Sequence, residues 1–224
     1  MRILALETSS QSCSVALWLD GKLHFEHEQG ARRQTELVLP MVQSLLQRHG
    51  VALNQLDGLA FGIGPGAFTG VRVATAVAQG LAFAADLPVV GVSTLAACAY
   101  QTRTQLDHDA VVLSVFDARM GEIYLGAYEC GAEHVTCLLA DQLCRPQQLP
   151  DLAATSCVVA GSGLVYQQAL LDKYNVSQCL PEIEPTATAV ATLAIPEFVA
   201  GHAVSAENAM PVYLRNQVVQ GAVR

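Results

Sequence analysis

Charge is scarce in this chain of 224 residues: 14% are Asp, Glu, Lys or Arg, with 20 acids against 12 bases and a net charge of −8. Holding nucleic acid unaided takes clustered Lys and Arg to neutralise phosphate, so an independent nucleic-acid binder is not expected. Long apolar runs are missing too. Hydrophobic residues make up 52% of the chain, yet no uninterrupted stretch approaches the roughly 20 residues of a membrane span. The apolar excess therefore belongs to packed interior or to interfaces. No Cys-x-x-Cys pair occurs among the seven cysteines at 13, 98, 130, 137, 144, 157 and 179. Scattered and odd in number, they read as reduced thiols of a cytoplasmic protein, with Cys13 and Cys98 as core residues. Met1-Arg2-Ile3-Leu4 enters a strand at once, with no basic leader or cleavage site, so no export signal is expected. Histidines at metal-binding spacing are lacking. His24 and His27 lie on a predicted strand, where a separation of three turns them to opposite faces, and no metal site is expected. A Ser or Cys nucleophile with a positioned base is not legible, so no catalytic residue is assigned.

What is present centres on Gly62-Ile63-Gly64-Pro65-Gly66-Ala67-Phe68-Thr69-Gly70-Val71-Arg72. An apolar strand at 56–61 precedes it and an Ala/Val-rich helix at 69–85 follows, with Thr69 as the expected N-cap. Strand, glycine turn and helix start aim free N–H groups and the positive dipole end at an anion, with Gly64, Gly66 and Thr69 as candidate contacts. No lysine stands in the loop, which excludes the phosphate loop of common NTPases. A tight structural turn is the other reading.

Residues 2–6, 13–19 and 22–27 form a meander, with Asp20-Gly21 as a hairpin turn and Glu7 and several hydroxyls at the first turn. A helix at 31–49 follows, its apolar residues at helical spacing, with Pro40 inside it and Gly50 at its end. The helix at 69–85 is apolar all round. Val71, Ala74, Ala78 and Leu81 share one side and Val73, Val77, Gly80 and Phe83 the other, so it needs cover on two sides. A strand at 89–92 and a helix at 95–106, capped by Ser93-Thr94, complete the first half. The meander pattern then recurs at 110–116, 123–128 and 135–139, with Asp117 standing where Glu7 stood. A strand at 158–160, a glycine turn, a helix at 165–173, a linker at 181–185 and a helix at 186–201 with Pro196 follow. The last patterned segment, 210–215, ends in Arg215, which suits an acidic partner. Two lobes are expected, 1–106 and a smaller 107–224, with room for the last segment to pack back on the first.

The meander, the Gly-Pro-Gly-x-Phe-Thr-Gly-x-Arg loop, Gly91-Val92-Ser93-Thr94, Asp117-Ala118-Arg119-Met120-Gly121-Glu122 and Pro211-x-Tyr-Leu-Arg together resemble the bacterial TsaB (YeaZ) family from residue 1 to about 215. The resemblance implies an α/β, two-lobed actin-like (ribonuclease-H-like) fold with mixed sheets and a reduced second lobe. It also implies a non-catalytic subunit that pairs with a catalytic paralogue, TsaD, and an ATPase, TsaE. Such a complex moves a threonylcarbamoyl group, from an adenylate made by TsaC, onto the adenosine beside the anticodon of tRNAs reading ANN codons. Glu7, Ala67 and Gln34 differ from the Asp, Ser and His usual in the family.

Glu7 and Asp117 stand where nucleotide-using members of this fold hold magnesium. They read either as a vestigial nucleotide site or as turn-capping carboxylates. The capping reading is preferred, because the second half is too short for a full kinase lobe and Arg119 offers Asp117 or Glu122 a partner. No tightly bound cofactor is expected, and ATP or ADP would sit only at a partner interface. The apolar excess on the helices at 35–49 and 69–85 points to a partner surface, with Leu37, Met41, Leu45, Arg72, Thr75, Ala78 and Ala82 as candidate contacts. The expectation is a homodimer in isolation, displaced by the catalytic subunit, with tRNA reached only through the complex. The rival reading is a small ATP-dependent phosphotransferase or a peptidase of the same fold.

Overall fold

The computed structural model describes residues 1–30, 33–131 and 134–215. The expected helix start at Ala31 lies outside them. Two five-stranded sheets built on one plan carry the fold. The first takes β1 (Arg2–Glu7), β2 (Cys13–Leu19), β3 (Lys22–Glu28), β4 (Gly58–Gly64) and β5 (Val89–Ser93) in the order β3-β2-β1-β4-β5. The β2–β3 hairpin turns on Asp20 and Gly21, both at positive φ (49° and 90°), as a two-residue turn matched to strand twist requires. β1 pairs antiparallel with β2 and parallel with β4, which runs parallel to β5.

The second sheet repeats this with β6 (Ala110–Asp117), β7 (Ile123–Cys130), β8 (Val135–Cys144), β9 (Cys157–Ala160) and β10 (Val176–Leu180) in the order β10-β9-β6-β7-β8. All five strands are kept, so the reduction of this lobe lies in its helices. No helix joins β8 to β9, where α1 (Gln34–Arg48) joins β3 to β4. The β9–β10 crossover is a 3-10 turn, Ser162–Tyr166, and the seven-residue α4 (Gln167–Lys173), against the 18-residue α2 (Phe68–Ala85) of the first lobe.

Alternation along β1 separates two cores. Leu4 and Leu6 face α1 and α2, with Leu17, Val38, Leu45, Leu59, Ala74, Ala78 and Ala82. Ile3 and Ala5 face α5 (Ala187–Val199), whose Ala187, Ala189, Ala191 and Ala194 let the helix lie close on the sheet. Each fully buried Leu or Ile here contributes roughly 1.5–3 kcal/mol. α3 (Thr94–Arg103) lies between the sheets, its Leu95, Cys98 and Ala99 packed with Val112, Phe116 and Tyr128 of the second. From Thr186 the chain returns to the first sheet, so the cover of that sheet is drawn from both ends of the sequence.

Pro40 interrupts neither the start nor the run of α1. It sits on the exposed side, where water reaches the carbonyl its ring leaves unpaired. Gly50 follows the His49 cap at φ 63°, the left-handed turn expected of it. Segment 210–215 forms no strand or helix. It lies as a strap whose Val212 N–H donates to Ile63 O at 2.8 Å.

Candidate functional site

The glycine loop closes on the chain's own first turn. Space that a Cβ would need at Gly62 is filled by the Glu7 carboxyl, at Gly70 by the Thr8 carbonyl, and at Gly66 by Ser9. Thr8 Oγ1 donates to Gly70 O at 2.7 Å, Ala67 N–H to Ser9 O at 2.7 Å, and Thr94 Oγ1 to the Pro65 carbonyl. Gly64 holds φ 102°, which only glycine adopts freely. These glycines serve close backbone packing, the tight-turn reading of the loop. The N-cap is Ala67 rather than Thr69: α2 begins one residue earlier, at Phe68, and no side chain caps it.

Glu7 is 1% exposed. Its Oε1 accepts the Ser9 N–H at 2.5 Å, while among the described residues Oε2 and Ser9 Oγ have no partner. Burial pushes the carboxyl up to about 7, against the lowering pull of the Ser9 N–H it accepts, and Glu184 adds a smaller upward push. Glu184 in turn accepts from Ser10 Oγ at 3.0 Å and Ser12 Oγ at 2.5 Å. Gln34, where the family usually has His, donates to Ser10 O at 3.1 Å. The carboxyl fills the space beside Gly62 and is closed off from solvent.

Asp117 caps its own turn. Its Oδ1 accepts the Arg119 N–H at 2.8 Å, its Oδ2 pairs with the Arg119 guanidinium at 3.0 Å, and its N–H reaches Ser162 Oγ at 3.2 Å. Arg215 pairs within the chain, with Glu122 at 2.7 Å and Ala118 O at 3.0 Å. The Asp117 carboxylate is thus committed on both oxygens, while Glu7, among the described residues, uses Oε1 alone. His24 stacks on His49, centroids 3.9 Å apart, while His27 lines a cleft of about 480 Å³ beside Phe25, Tyr100 and Thr192, on the other face of β3.

A half-buried polar cluster is not marked in the sequence. Asp141 on β8 accepts from Tyr128 and, at 2.5 Å, from Ser93 Oγ, the N-cap of α3. Burial raises the Asp141 carboxyl against these two bonds, and raises the Tyr128 hydroxyl as well. The trio ties the second sheet to the first. Nothing in local spacing marks it, because its members come from three separate strands.

The expected partner residues divide. Ala78 and Ala82 are 0% exposed and pack on their own sheet, and Thr75 is buried, donating to Val71 O at 2.9 Å. Met41 and Leu45 are also core residues, and Leu37 is half-buried. The two faces of α2 are as the spacing gives them, but the alanine face turns inward, since small side chains let the helix sit close to β4. The open face carries Arg72, Ala76, Gly80 and Phe83, with Val73 and Val77 half-buried beside them. Phe83 is 80% exposed. Arg72 lies 3.3 Å over the Phe68 ring, and its Nε donates to Tyr213 Oη at 2.9 Å. By length and mean hydropathy (1.3) α2 could cross a membrane, but Ala74, Ala78 and Ala82 make it a core helix of the first lobe.

The family described as TsaD, tRNA N6-adenosine threonylcarbamoyltransferase, matches residues 27–217. The chain is 37% identical to the tRNA threonylcarbamoyladenosine biosynthesis protein TsaB of Escherichia coli K12, over 97% of this chain and 96% of that protein. The chain belongs to the TsaB (YeaZ) family. The TsaB protein of Haemophilus influenzae is likewise 37% identical, over 97% of this chain and 95% of its own. The solved structure of YeaZ from Pseudomonas aeruginosa superposes with a TM-score of 0.87 at 37% identity, covering 95% of this chain and 99% of that one. The likeness to the family, in sequence and in the two-lobed actin-like fold, therefore extends along nearly the whole chain.

Proposed function

We propose that the chain acts in the formation of threonylcarbamoyladenosine in tRNA as a non-catalytic subunit: a cytoplasmic scaffold that docks on the catalytic paralogue TsaD and works with the ATPase TsaE. The observation that carries this reading is the open apolar face of α2, a surface on which Phe83 and Ala76 are exposed among the described residues. The names of its relatives, and its match to the TsaD family, support a role beside a protein of related fold. In the absence of the paralogue, a second copy of the chain takes the same face. The net charge of −8 supports tRNA reaching the chain only through the complex. Tight nucleotide binding by the chain alone is disfavoured by Asp117, paired with Arg119 within its own turn, and by Glu7, closed off from solvent. Any ATP or ADP belongs at a partner interface. The same two carboxylates weigh against a phosphotransferase or peptidase.

The test is depletion of the chain followed by mass spectrometry of digested tRNA, with a tagged copy purified for its companions. Loss of the modified nucleoside, restored by wild type and by Glu7→Gln but not by Ala76→Glu, is expected. An unchanged modification level, or ATP turnover by the purified chain abolished by Glu7→Ala or Asp117→Ala, would overturn the proposal.

A further inference from the structure

The open face of α2 is electrically lopsided. Arg72, Ala76, Gln79 and Phe83 recur at spacings of three and four, so they share one flank of the helix. Along that flank the segment 206–213 runs in the opposite direction. Ala206 and Glu207 border Gly80 and Phe83, the Ala209 carbonyl accepts from Gln79 Nε2 at 2.8 Å, and Tyr213 reaches Arg72. A cation therefore stands at the start of the face and an anion, Glu207, further along the same side. Neither has an ion-pair partner among the described residues. Arg72 is also held in place, stacked on Phe68 and bonded to Tyr213 through Nε, so ordering it for a contact costs little further entropy.

We infer that Arg72 and Glu207 set the register of a two-fold α2–α2 contact between copies of this chain, Arg72 of each copy meeting Glu207 of the other. This rests on the reading that the isolated chain pairs with itself through α2. A two-fold axis across the helix near Ala76 reverses α2 while keeping its flank. Gly80, beside Glu207, lies eight residues or roughly 12 Å beyond Arg72, with Ala76 midway. The antiparallel pairing thus brings Arg72 to the level of Gly80 and Glu207 of the second copy, twice by symmetry. Ala76 at the axis is exposed and small, which permits the close approach of two helices. A parallel two-fold pairing would carry the two copies of this flank to opposite sides of the contact, so no Arg72–Glu207 pair would form.

Charge reversal tests this directly. Arg72→Glu and Glu207→Arg are made singly, checked for fold by circular dichroism and melting, and their dimerisation is measured by analytical ultracentrifugation. Each alone places like charges together twice and is expected to weaken self-association at least about tenfold. Mixed in equal amounts, the two variants restore both pairs, so a heterodimer forms to within about threefold of the wild-type affinity. Single variants that dimerise like wild type, or a mixture no tighter than its components, would overturn the register while leaving the homodimer standing. A wild-type chain that stays monomeric at every concentration would instead remove the homodimer itself. Should Arg72→Glu lose its fold with the Phe68 stack, salt dependence of the wild-type dimer decides: dissociation must strengthen severalfold from low to high salt. A contact indifferent to salt, or tightened by it, would count against the pairing.

Discussion

Glu7 and Gly62 share one space: the carboxyl of the first fills the place where any side chain on the second would begin. The glycine is set by β1 and β4 running parallel at close quarters, and the carboxyl is sealed for the same reason. Gly62→Ala should therefore cost at least about 2 kcal/mol, since the buried Glu7 carboxyl and the Thr94 methyl already fill the space a Cβ would take. Urea unfolding of Gly62→Ala with and without Glu7→Asp measures it. The shorter carboxylate should recover about 1 kcal/mol or more of that loss, and strictly additive effects would show that the two side chains do not compete.

Stability should fall as pH rises from about 4.5 to about 7. The Glu7 carboxyl is raised in the folded protein from 4.5 to about 7, so within that window the folded state holds a proton that the unfolded chain has released. The stabilisation is full below the lower value and lost above the upper one, a change of about 3 kcal/mol. Glu7→Gln has no proton to lose. The difference in unfolding free energy between wild type and Glu7→Gln should slope with pH across this window and be flat outside it. Parallel curves would mean that Glu7 is ionised in the fold.

Ala78→Glu and Ala76→Glu should part company. The first puts a charge into the core beneath α2 and should cost more than about 3 kcal/mol, enough to unfold the chain at ambient temperature. The second adds a charge to the open face, leaving the melting temperature close to wild type while abolishing association. Circular dichroism with light scattering reads both. A folded, monomeric Ala78→Glu would return the inward face to the partner surface.

Tyr128→Phe removes a donor from half-buried Asp141 and should cost about 1–2 kcal/mol. Because the Tyr128 bond lowers the Asp141 carboxyl, its loss should drive that group further up, observable by NMR titration of the side-chain carboxyl. An Asp141 titration unmoved by the change would contradict the hydrogen bond.

What the sequence conveyed was local or repetitive. The Asp20-Gly21 hairpin, the strands around it and their second appearance at β6–β8 are written in alternation and turn residues. β10 went unread because Ser177 and Gln178 interrupt its apolar pattern, as suits an edge strand, exposed along its middle, whose register comes from β9. The two faces of α2 were legible, but their direction was not, since an alanine face reads equally as a helix seam or a sheet contact until β4 is in place. Nor could spacing disclose that Oε2 of Glu7 would be enclosed. Its neighbour Gly62 lies far along the chain and arrives through the parallel pairing of β1 with β4.

The cover of the first sheet also bears on how the protein comes off the ribosome. Ile3, Ala5, Ala60, Val90 and Val92 are finally closed by α5, which is synthesised after the whole second sheet. A nascent chain with every first-sheet strand already outside the exit tunnel still presents a bare apolar face, a site for chaperone capture or mispairing. Folding here is not sequential, lobe after lobe. Completion of the first sheet waits for Ala187–Val199, and a fragment ending before those residues should emerge as an aggregating species rather than a half-sized protein.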